Sequence, residues 1–263
     1  MASPRLSCES LTATIGDLCV VADLDLCFKA GQFWGVLGAN GAGKTTLLRH
    51  LAGLLEPERG SVALNNQPLH QWPRRLLARM LGMLQQQTSY VFDATVLQVA
   101  LTGRHPHLGR FERERTADLK RARSALADMG LLRIEARSVT ALSGGEARRL
   151  AFAALQVQDT PVQLLDEPTN HLDFRHQVRL MSLVGEQVYG QQRLALAALH
   201  DVNLAATYCS HVLLLHEQGR WQAGTASELL QEEELERLYQ CPITAVETPH
   251  GTRFHPTFSE SPD

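Results

Sequence analysis

Several features that would decide the class of this protein are missing from its sequence. No apolar run approaches the roughly 20 residues that a membrane-spanning helix needs; the stretch "LALAAL" at 194–199 has the length of a strand. The first residues, "MASPRLSCESLTATIGD", lack the apolar core of a secretion signal. We therefore expect neither a spanning segment nor export.

Cysteine pairs and a strong net charge are missing as well. The five cysteines form no CxxC pair, so the sequence predicts neither a zinc site nor a disulfide framework, and a reducing cytosol fits best. The formal net charge of −3 gives no general attraction to nucleic acid or to an anionic membrane surface. Hydrophobic residues make up 44% and charged residues 20% of the chain, which is ordinary for a globular protein.

The chain does contain alternating strand and helix patterns on both sides of a helical block. Strands such as "FWGVL" and "VQLLDE" alternate with amphipathic helices, whereas the stretch from Asp93 to about Arg137 reads as helix throughout. This order predicts an α/β domain with a parallel sheet and an inserted helical subdomain. We divide the single domain 1–263 into an α/β core (1–86 and 158–230), a helical subdomain (87–157) and a tail (231–263) with a charged helix and a hairpin around "TPHGT".

The strongest motif is "GANGAGKTT", between the strand "FWGVL" and an amphipathic helix. Its spacing matches the P-loop pattern, in which glycines let backbone N–H groups approach phosphate oxygens and the following helix adds partial positive charge. Lys44 would neutralise β- and γ-oxygens, and the Thr45 hydroxyl would bind Mg²⁺. A Gly-rich turn before a helix would explain the glycines but not the Lys-Thr pair. The predicted ATP-binding residues are Gly38, Ala39, Asn40, Gly41, Ala42, Gly43, Lys44, Thr45 and Thr46.

Polar side chains follow three further predicted strands. "VQLLDEP" delivers Asp166 at a strand end, where it would hold Mg²⁺, and Glu167 next to it would accept a proton from an attacking water. Alone, two adjacent acids at a strand end are more often a turn or a helix cap; the P-loop upstream favours catalysis. His200 closes "LALAALH", where it would reach the γ-phosphate, and "QQQ" at 85–87 follows "LGML".

A second glycine pair raises the question of a second phosphate cradle. In "TALSGGEARRL", Gly144 and Gly145 stand behind the Ser143 hydroxyl and before a helical stretch. Bare N–H groups at a helix N-terminus form an anion site. One nucleotide does not need two such sites in one chain.

The order of these motifs resembles the ATP-binding-cassette (ABC) ATPases over nearly the whole chain: P-loop, Gln-rich loop, "LSGGE", "LLDEP", "TNHLD" and "LH". The resemblance implies a P-loop NTPase fold, with a RecA-like parallel-sheet core, N-terminal antiparallel strands and an inserted helical subdomain. It also implies that two cassettes pair head to tail, with each "LSGGE" signature contacting the ATP held by the other subunit.

The resemblance assigns roles to further residues. The signature residues toward the partner's ATP would be Ser143, Gly144, Gly145 and Glu146. Asp173 in "NHLD" would lie at the dimer seam, and Gln86 would coordinate Mg²⁺ or the attacking water, with the register open between Gln85, Gln86 and Gln87. The predicted catalytic set is thus Glu167, His200 and Gln86, and the predicted Mg²⁺ ligands are Thr45, Gln86 and Asp166.

One departure from the family pattern concerns the base. ABC ATPases usually stack adenine on an aromatic residue ahead of the P-loop, and "TATIGD" places Ile15 at that position. Stacking is therefore in doubt. Ala39 replaces a customary Pro and Ala147 a polar residue, and neither change removes a catalytic group.

Two classes of ABC protein fit these motifs. One is the ATP-hydrolysing subunit of a transporter whose membrane subunits are separate chains; the other is a soluble ABC ATPase of DNA repair or translation. The latter proteins split their cassette around a long coiled coil or carry two cassettes, and this chain has neither feature. A scaffold without turnover would lack a base such as Glu167.

The transporter hypothesis implies particular partners and a location. The partners are a second copy, integral membrane permease subunits and, indirectly, a substrate-binding protein, with no nucleic acid, at the cytoplasmic face of the inner membrane. "LTGRHPHLGRF" and "LHDVNLAATYCSHVLLL" resemble the ATPases of importers for iron-siderophore, heme and cobalamin. We interpret "GRHPH" as a loop rather than a metal site.

Overall fold

The computed structural model describes residues 3–16, 18–86, 90–249 and 251–257. Its strands are β1 (Arg5–Ile15), β2 (Leu18–Lys29), β3 (Phe33–Gly38), β4 (Arg59–Leu64), β5 (Gln67–Pro68), β6 (Leu81–Leu84), β7 (Val162–Asp166), β8 (Leu194–Ala198), β9 (His211–Leu215), β10 (Trp221–Thr225), β11 (Ile243–Thr248) and β12 (Gly251–Pro256). Its α-helices are α1 (Lys44–Leu51), α2 (Arg74–Met80), α3 (Val96–Leu101), α4 (Thr116–Asp128), α5 (Gly144–Gln158), α6 (Phe174–Gly185), α7 (Val202–Tyr208), α8 (Ala226–Leu229) and α9 (Glu232–Tyr239).

The main sheet has the strand order β10-β9-β3-β8-β7-β6. Its strands are parallel except β10, which runs antiparallel to β9. Every residue of β3, β7 and β8 is buried, as expected for parallel strands covered on both faces. The α/β class predicted from the sequence is confirmed, and the carboxyl ends of β3, β6, β7 and β8 meet at one edge.

A second sheet covers one face of the main sheet. It is antiparallel, with the order β2-β1-β4-β5, so the predicted N-terminal antiparallel strands are confirmed. Between the two sheets, Leu6 and Leu24 pack in one core with Leu47 of α1 and Leu213 of β9. The helix that follows the P-loop is therefore held between both sheets.

The helical block lies against the opposite face of the main sheet and has no separate core. Phe152 of α5 and Leu126 of α4 belong to the same buried cluster as Leu180 of α6 and Phe33 of β3. The helical block therefore shares one buried cluster with one face of the main sheet, and the division at 87–157 stays a prediction. Within the described residues, no helix is long and apolar enough to cross a membrane.

The sequence interpretation of "GRHPH" as a loop is wrong. Thr102–His107 is a 3-10 helix packed on α5. His107 Nε2 lies 2.8 Å from the backbone oxygen of Gln158, and burial lowers the pKa of His107. No group of three metal-binding side chains (His, Cys, Asp or Glu) is found in the part of the chain that the structure describes.

The C-terminal tail packs back against the α/β core. Helix α9 contacts β11, and β11 pairs antiparallel with β12, as the hairpin around "TPHGT" predicts; His250 in its turn lies outside the described residues. Asn203 of α7 accepts a hydrogen bond from the Phe254 N–H at 2.8 Å and donates its amide to the Phe254 oxygen at 3.1 Å. This double hydrogen bond anchors the hairpin on the helix that begins just after His200.

Candidate nucleotide site

The P-loop connects the end of β3 to the start of α1. Gly43 precedes the helix at φ 88°, a left-handed conformation that favours glycine. A Cβ there would lie 2.4 Å from a methyl carbon of Val20, so no other residue fits beside β2. Lys44 Nζ donates to the backbone oxygens of Gly38 at 2.8 Å and Ala39 at 3.1 Å. The ammonium is thereby held over the loop, where a phosphate would lie.

Asp166 at the end of β7 meets the P-loop helix. Thr45 Oγ1 donates to Asp166 Oδ1 at 2.9 Å, while Asp166 Oδ2 is buried and has no hydrogen-bond partner among the described residues. Burial raises the pKa of Asp166, and the charge of Glu167 adds to that rise. Burial likewise lowers the pKa of Lys44. A buried carboxylate oxygen without a partner among the described residues fits a ligand for a cation.

The Glu167 carboxylate contacts three polar side chains, two from other segments and one from its own turn. His200 Nε2 lies 2.7 Å from Oε1, Gln86 Nε2 donates to Oε2 at 2.9 Å, and Asn170 Nδ2 also donates to Oε2. Glu167 itself has a φ of 48°, a conformation that is rare for a residue with a side chain and is concentrated at functional sites. The structure thus brings together the three residues predicted as catalytic.

Two features of this cluster were missed from the sequence. The sequence "EPTN" does not single out Asn170, although it follows Glu167 by three residues and contacts its carboxylate. The sequence allows Gln85, Gln86 or Gln87 as the Gln-loop residue. In the structure Gln86 meets Glu167, Gln85 contributes its backbone oxygen to a contact with Arg148, and Gln87 lies outside the described residues.

Arg148 was also missed, and it is a second buried cation of the site beside Lys44. Arg148 lies in α5, and only 3% of the residue's surface is exposed. The guanidinium donates to the backbone oxygens of Glu167 at 2.9 Å and Gln86 at 3.2 Å, and also to those of Asp166 and Gln85. Burial lowers the pKa of Arg148, and the nearby Asp166 and Glu167 carboxylates oppose that shift. The helix that begins at the signature is therefore tied to the ends of β6 and β7.

The signature segment forms the N-terminus of that same helix. Ser143 caps α5: its Oγ accepts from the Glu146 N–H at 3.2 Å, and Glu146 Oε2 accepts from the Ser143 N–H at 2.8 Å, a capping box. Ser143 and Gly144 are exposed. A Cβ on Gly145 would lie 2.9 Å from the backbone oxygen of His171, so glycine allows the helix end to approach that turn. The exposed start of a 15-residue helix is available to an anion from outside the chain.

Asp173 lies at the start of α6. Its carboxylate accepts from the His176 N–H at 2.9 Å and contacts His176 Nδ1 at 2.7 Å. His176 Nε2 lies 2.9 Å from Arg149 Nη1, so this turn is linked to α5. Hydrogen bonding to His176 lowers the pKa of the exposed Asp173 carboxyl, which stays ionised at neutral pH.

Ile15 ends β1 opposite Leu18, the first residue of β2. Ile15 is 53% exposed and is not among the residues that line the cleft beside the P-loop. At the position where the sequence resemblance leads us to expect an aromatic side chain, the structure has an exposed aliphatic one.

Comparisons with known proteins agree with this geometry. Residues 21–170 match the model of the ABC transporter family. The chain is 40% identical over 257 residues to the hemin import ATP-binding protein HmuV of Pseudomonas entomophila (strain L48), covering 95% of this chain and 98% of the relative. It is 34% identical over 245 residues to the ferric enterobactin transport ATP-binding protein FepC of Escherichia coli (strain K12), covering 93% of this chain and 90% of the relative.

A solved structure agrees over the same length. The fold superimposes on a metal-chelate type ABC transporter in an inward-facing conformation with a TM-score of 0.82 at 26% identity, covering 97% of this chain and 98% of the other. The P-loop, the Asp166–Glu167 pair and the signature helix all lie within this one fold. The chain therefore belongs to the ABC transporter family, as an ATP-binding and ATP-hydrolysing subunit.

Proposed function

We propose that this chain is the ATPase subunit of an importer, and that it hydrolyses ATP·Mg²⁺ at the edge of the main sheet where β3, β6, β7 and β8 end. The observation that carries the proposal is the Glu167 carboxylate, which has His200, Gln86 and Asn170 around it. Such a carboxylate beside a P-loop fits a base for an attacking water. The predicted cradle residues would bind the phosphates through their N–H groups and Lys44.

Magnesium fits the neighbouring pair. Thr45 supplies a hydroxyl oxygen and Asp166 a carboxylate, one oxygen of which is buried without a partner. Hard oxygen donors of this kind suit Mg²⁺. Gln86 is the third proposed ligand, through its amide oxygen. The cation would neutralise charge on the β- and γ-phosphates and remove the energetic cost of burying an ionised Asp166.

The hydrolytic step uses Glu167 and His200. Glu167 would accept a proton from water as that water attacks the γ-phosphorus, and the bond to the β,γ-bridging oxygen breaks to give ADP and phosphate. His200, 2.7 Å from Glu167, would orient that carboxylate and contact the γ-phosphate. Gln86 links the site to the segment after β6, so nucleotide state and the position of that segment would change together.

A second copy of the chain would complete each site. Helix α5 starts with four signature residues, of which Ser143 and Gly144 are exposed and Gly145 and Glu146 partly exposed. Their N–H groups would bind the γ-phosphate held by the partner's P-loop. ATP would then bridge two subunits, with Asp173 at the seam. This arrangement explains why one chain has two phosphate cradles.

The chain would reach the membrane through permease subunits. A groove is lined by apolar side chains such as Leu54, Leu55 and Trp72 together with polar ones such as His70 and Arg74. Leu54 and Leu55 are 40% or more exposed, and exposed apolar side chains with polar neighbours suit a protein partner. The relatives' names support an importer of an iron-siderophore, heme or cobalamin, fed by a substrate-binding protein. The location would be the cytoplasmic face of the inner membrane.

Phosphate release and sedimentation test this proposal. The purified chain should release phosphate from ATP only with Mg²⁺, and Lys44→Ala should abolish that release. Expressed alone, the chain should stay in the supernatant, and co-expressed with its permease it should sediment with membranes. Mg²⁺-independent release, or membrane association without any partner protein, would contradict it.

A further inference from the structure

Asp173, proposed at the seam between two subunits, is linked to the signature helix through one histidine. The Asp173 carboxylate contacts His176 Nδ1 at 2.7 Å, and the other ring nitrogen, Nε2, lies 2.9 Å from Arg149 Nη1. Asp173 caps α6, whereas Arg149 lies in α5, the helix that begins at the signature. The two segments that would meet a second copy of the chain are therefore joined by a side-chain bridge.

The partners of His176 decide where its ring proton lies. A guanidinium has only hydrogen-bond donors, so His176 Nε2 must accept the hydrogen bond from Arg149. The same Nη1 atom also donates to the backbone oxygen of Met129 at 2.7 Å, which uses its second N–H bond. A neutral imidazole that accepts at Nε2 has its proton on Nδ1, where it donates to Asp173. His176 is therefore a neutral ring that donates on one side and accepts on the other.

The backbone beside this bridge is kept bare. Gly130, just after α4, has a φ of 68°, a left-handed conformation that favours glycine. A Cβ at Gly130 would lie 3.3 Å from Arg149 Nη1 and 3.5 Å from His176 Nε2. Because Arg149 also contacts Met129 at the end of α4, three helices, α4, α5 and α6, meet at the bridge. The histidine side chain is only 22% exposed, so most of the ring is enclosed by these elements.

The turn that carries Asp173 is held by a second side chain of α6. Gln177 Nε2 donates to the backbone oxygens of Leu172 at 3.1 Å and Thr169 at 3.3 Å. The Asp173 carboxylate uses Oδ1 for both of its contacts with His176, and its side chain is 67% exposed. The turn is thus fixed from within the chain, while Oδ2 is left for a hydrogen-bond donor of a second copy.

We propose that His176 is a positioning residue for the ATP-bridged pair. It fixes Asp173 relative to the signature helix, so that the signature and the carboxylate at the seam of one subunit meet the partner as one rigid unit. Without the bridge, each segment would have to be ordered separately when the dimer forms, and this ordering would reduce the affinity of the two subunits for each other. The inference rests on the proposed head-to-tail dimer.

The position of the ring proton is tested on the nucleotide-free full chain, labelled with ¹⁵N at histidine. Two-bond NMR correlations between ring nitrogens and ring carbon-bound protons distinguish the two neutral tautomers and the charged ring, and the His176→Gln variant identifies the signals of this residue. The expected result is a proton on Nδ1 and none on Nε2. A proton on Nε2, in a neutral or a charged ring, would overturn the inference, because Arg149 could not then donate to that nitrogen.

The role in assembly is tested on the slowly hydrolysing Glu167→Gln protein, by sedimentation velocity with ATP·Mg²⁺. His176→Asn keeps an N–H near the position of Nδ1 but does not reach Arg149, and His176→Gln places an amide near the position of Nε2 but gives up Asp173. Because the bridge needs both halves, each substitution should weaken dimerisation about fivefold, the value of one hydrogen bond. His105→Gln, at an exposed histidine of the helical block, is the matched control and should dimerise like its parent.

The affinity for ADP, measured by calorimetry, shows whether each variant keeps a folded nucleotide site, and it should be the same in all of them. Equal dimerisation of the His176 variants and the control, or a loss of ADP affinity that matches the loss of dimerisation, would overturn the role of His176. If the Glu167→Gln parent does not dimerise with ATP, the proposed dimer itself is wrong. A parent that dimerises, with His176 variants that dimerise equally well, contradicts only the role of His176.

Discussion

Arg148 donates its guanidinium to the backbone oxygen of Glu167 at 2.9 Å, across 19 residues of sequence. The donor lies in the helix that begins at the signature, and the acceptor is the proposed base. Because the same side chain also contacts Gln86 at its backbone oxygen, one buried cation holds the signature helix, the Gln-loop and the proposed base in one arrangement.

Replacing Arg148 should therefore damage both stability and turnover. Arg148→Ala leaves several buried carbonyl oxygens without donors and should lower the free energy of unfolding by about 3 kcal/mol, measured by urea denaturation. Arg148→Lys keeps the charge but not the planar fork; it should fold with a smaller loss of stability and show a reduced kcat with little change in KM. If Arg148→Ala matches the wild type in both measurements, these backbone contacts are not needed.

Glu167→Gln should uncouple binding from hydrolysis. The amide keeps the shape of the carboxylate but cannot take the proton, and positioned proton transfer contributes about 10²–10⁴-fold to rate. It also removes negative charge near the γ-phosphate, which favours the closed pair. Size-exclusion chromatography should show a dimer with ATP·Mg²⁺ and a monomer with ADP, while phosphate release is very slow.

Adding Ser143→Arg to that variant tests the second cradle. A bulky cation at the exposed start of α5 should abolish the ATP-dependent dimer, although the P-loop is untouched. If the double variant still dimerises on ATP, the signature is not an intersubunit phosphate site.

Asp166→Asn should stabilise the nucleotide-free protein. Since burial raises the pKa of Asp166, its ionised form is disfavoured in the folded state, and stability from this group is present at low pH and lost as pH rises through its folded pKa. At pH 7 the variant should melt about 2–4 °C higher, the shift for roughly 1 kcal/mol in a domain of this size, and the difference should shrink on acidification. The same variant should lose Mg²⁺-dependent hydrolysis. A lower melting temperature at pH 7 would show that the hydrogen bond from Thr45 and the charge of Arg148 outweigh the cost of burying the carboxylate.

Ile15→Tyr should tighten ATP binding. Ile15 is exposed opposite Leu18, and Leu18 lines a cleft that also borders P-loop residues 39–42. Stacking on an aromatic is worth about 1–3 kcal/mol per base in nucleic-acid binders, so the Kd for ATP should fall about tenfold, and wild type should separate ATP from GTP poorly. Weaker ATP binding by a folded variant would mean that residue 15 does not face the base.

The sequence alone determined the class of fold and the family, because these depend on contiguous signals. The buried strands read as unbroken apolar runs, and the P-loop consists of neighbouring residues whose backbone N–H groups act together, so their order along the chain carries the chemistry. The same holds for the alternation of strand and helix, which predicted the parallel sheet.

Only the tertiary structure decided how distant segments complete the site. Nothing in the spacing of Arg148 within "GEARRL" shows that it, and not Arg149, points at the ends of β6 and β7. Asn170 reads as a turn residue until Glu167 is seen beside it. Such roles depend on contacts between residues far apart in sequence, and these contacts are set by how the two faces of the sheet are packed, which no local pattern encodes.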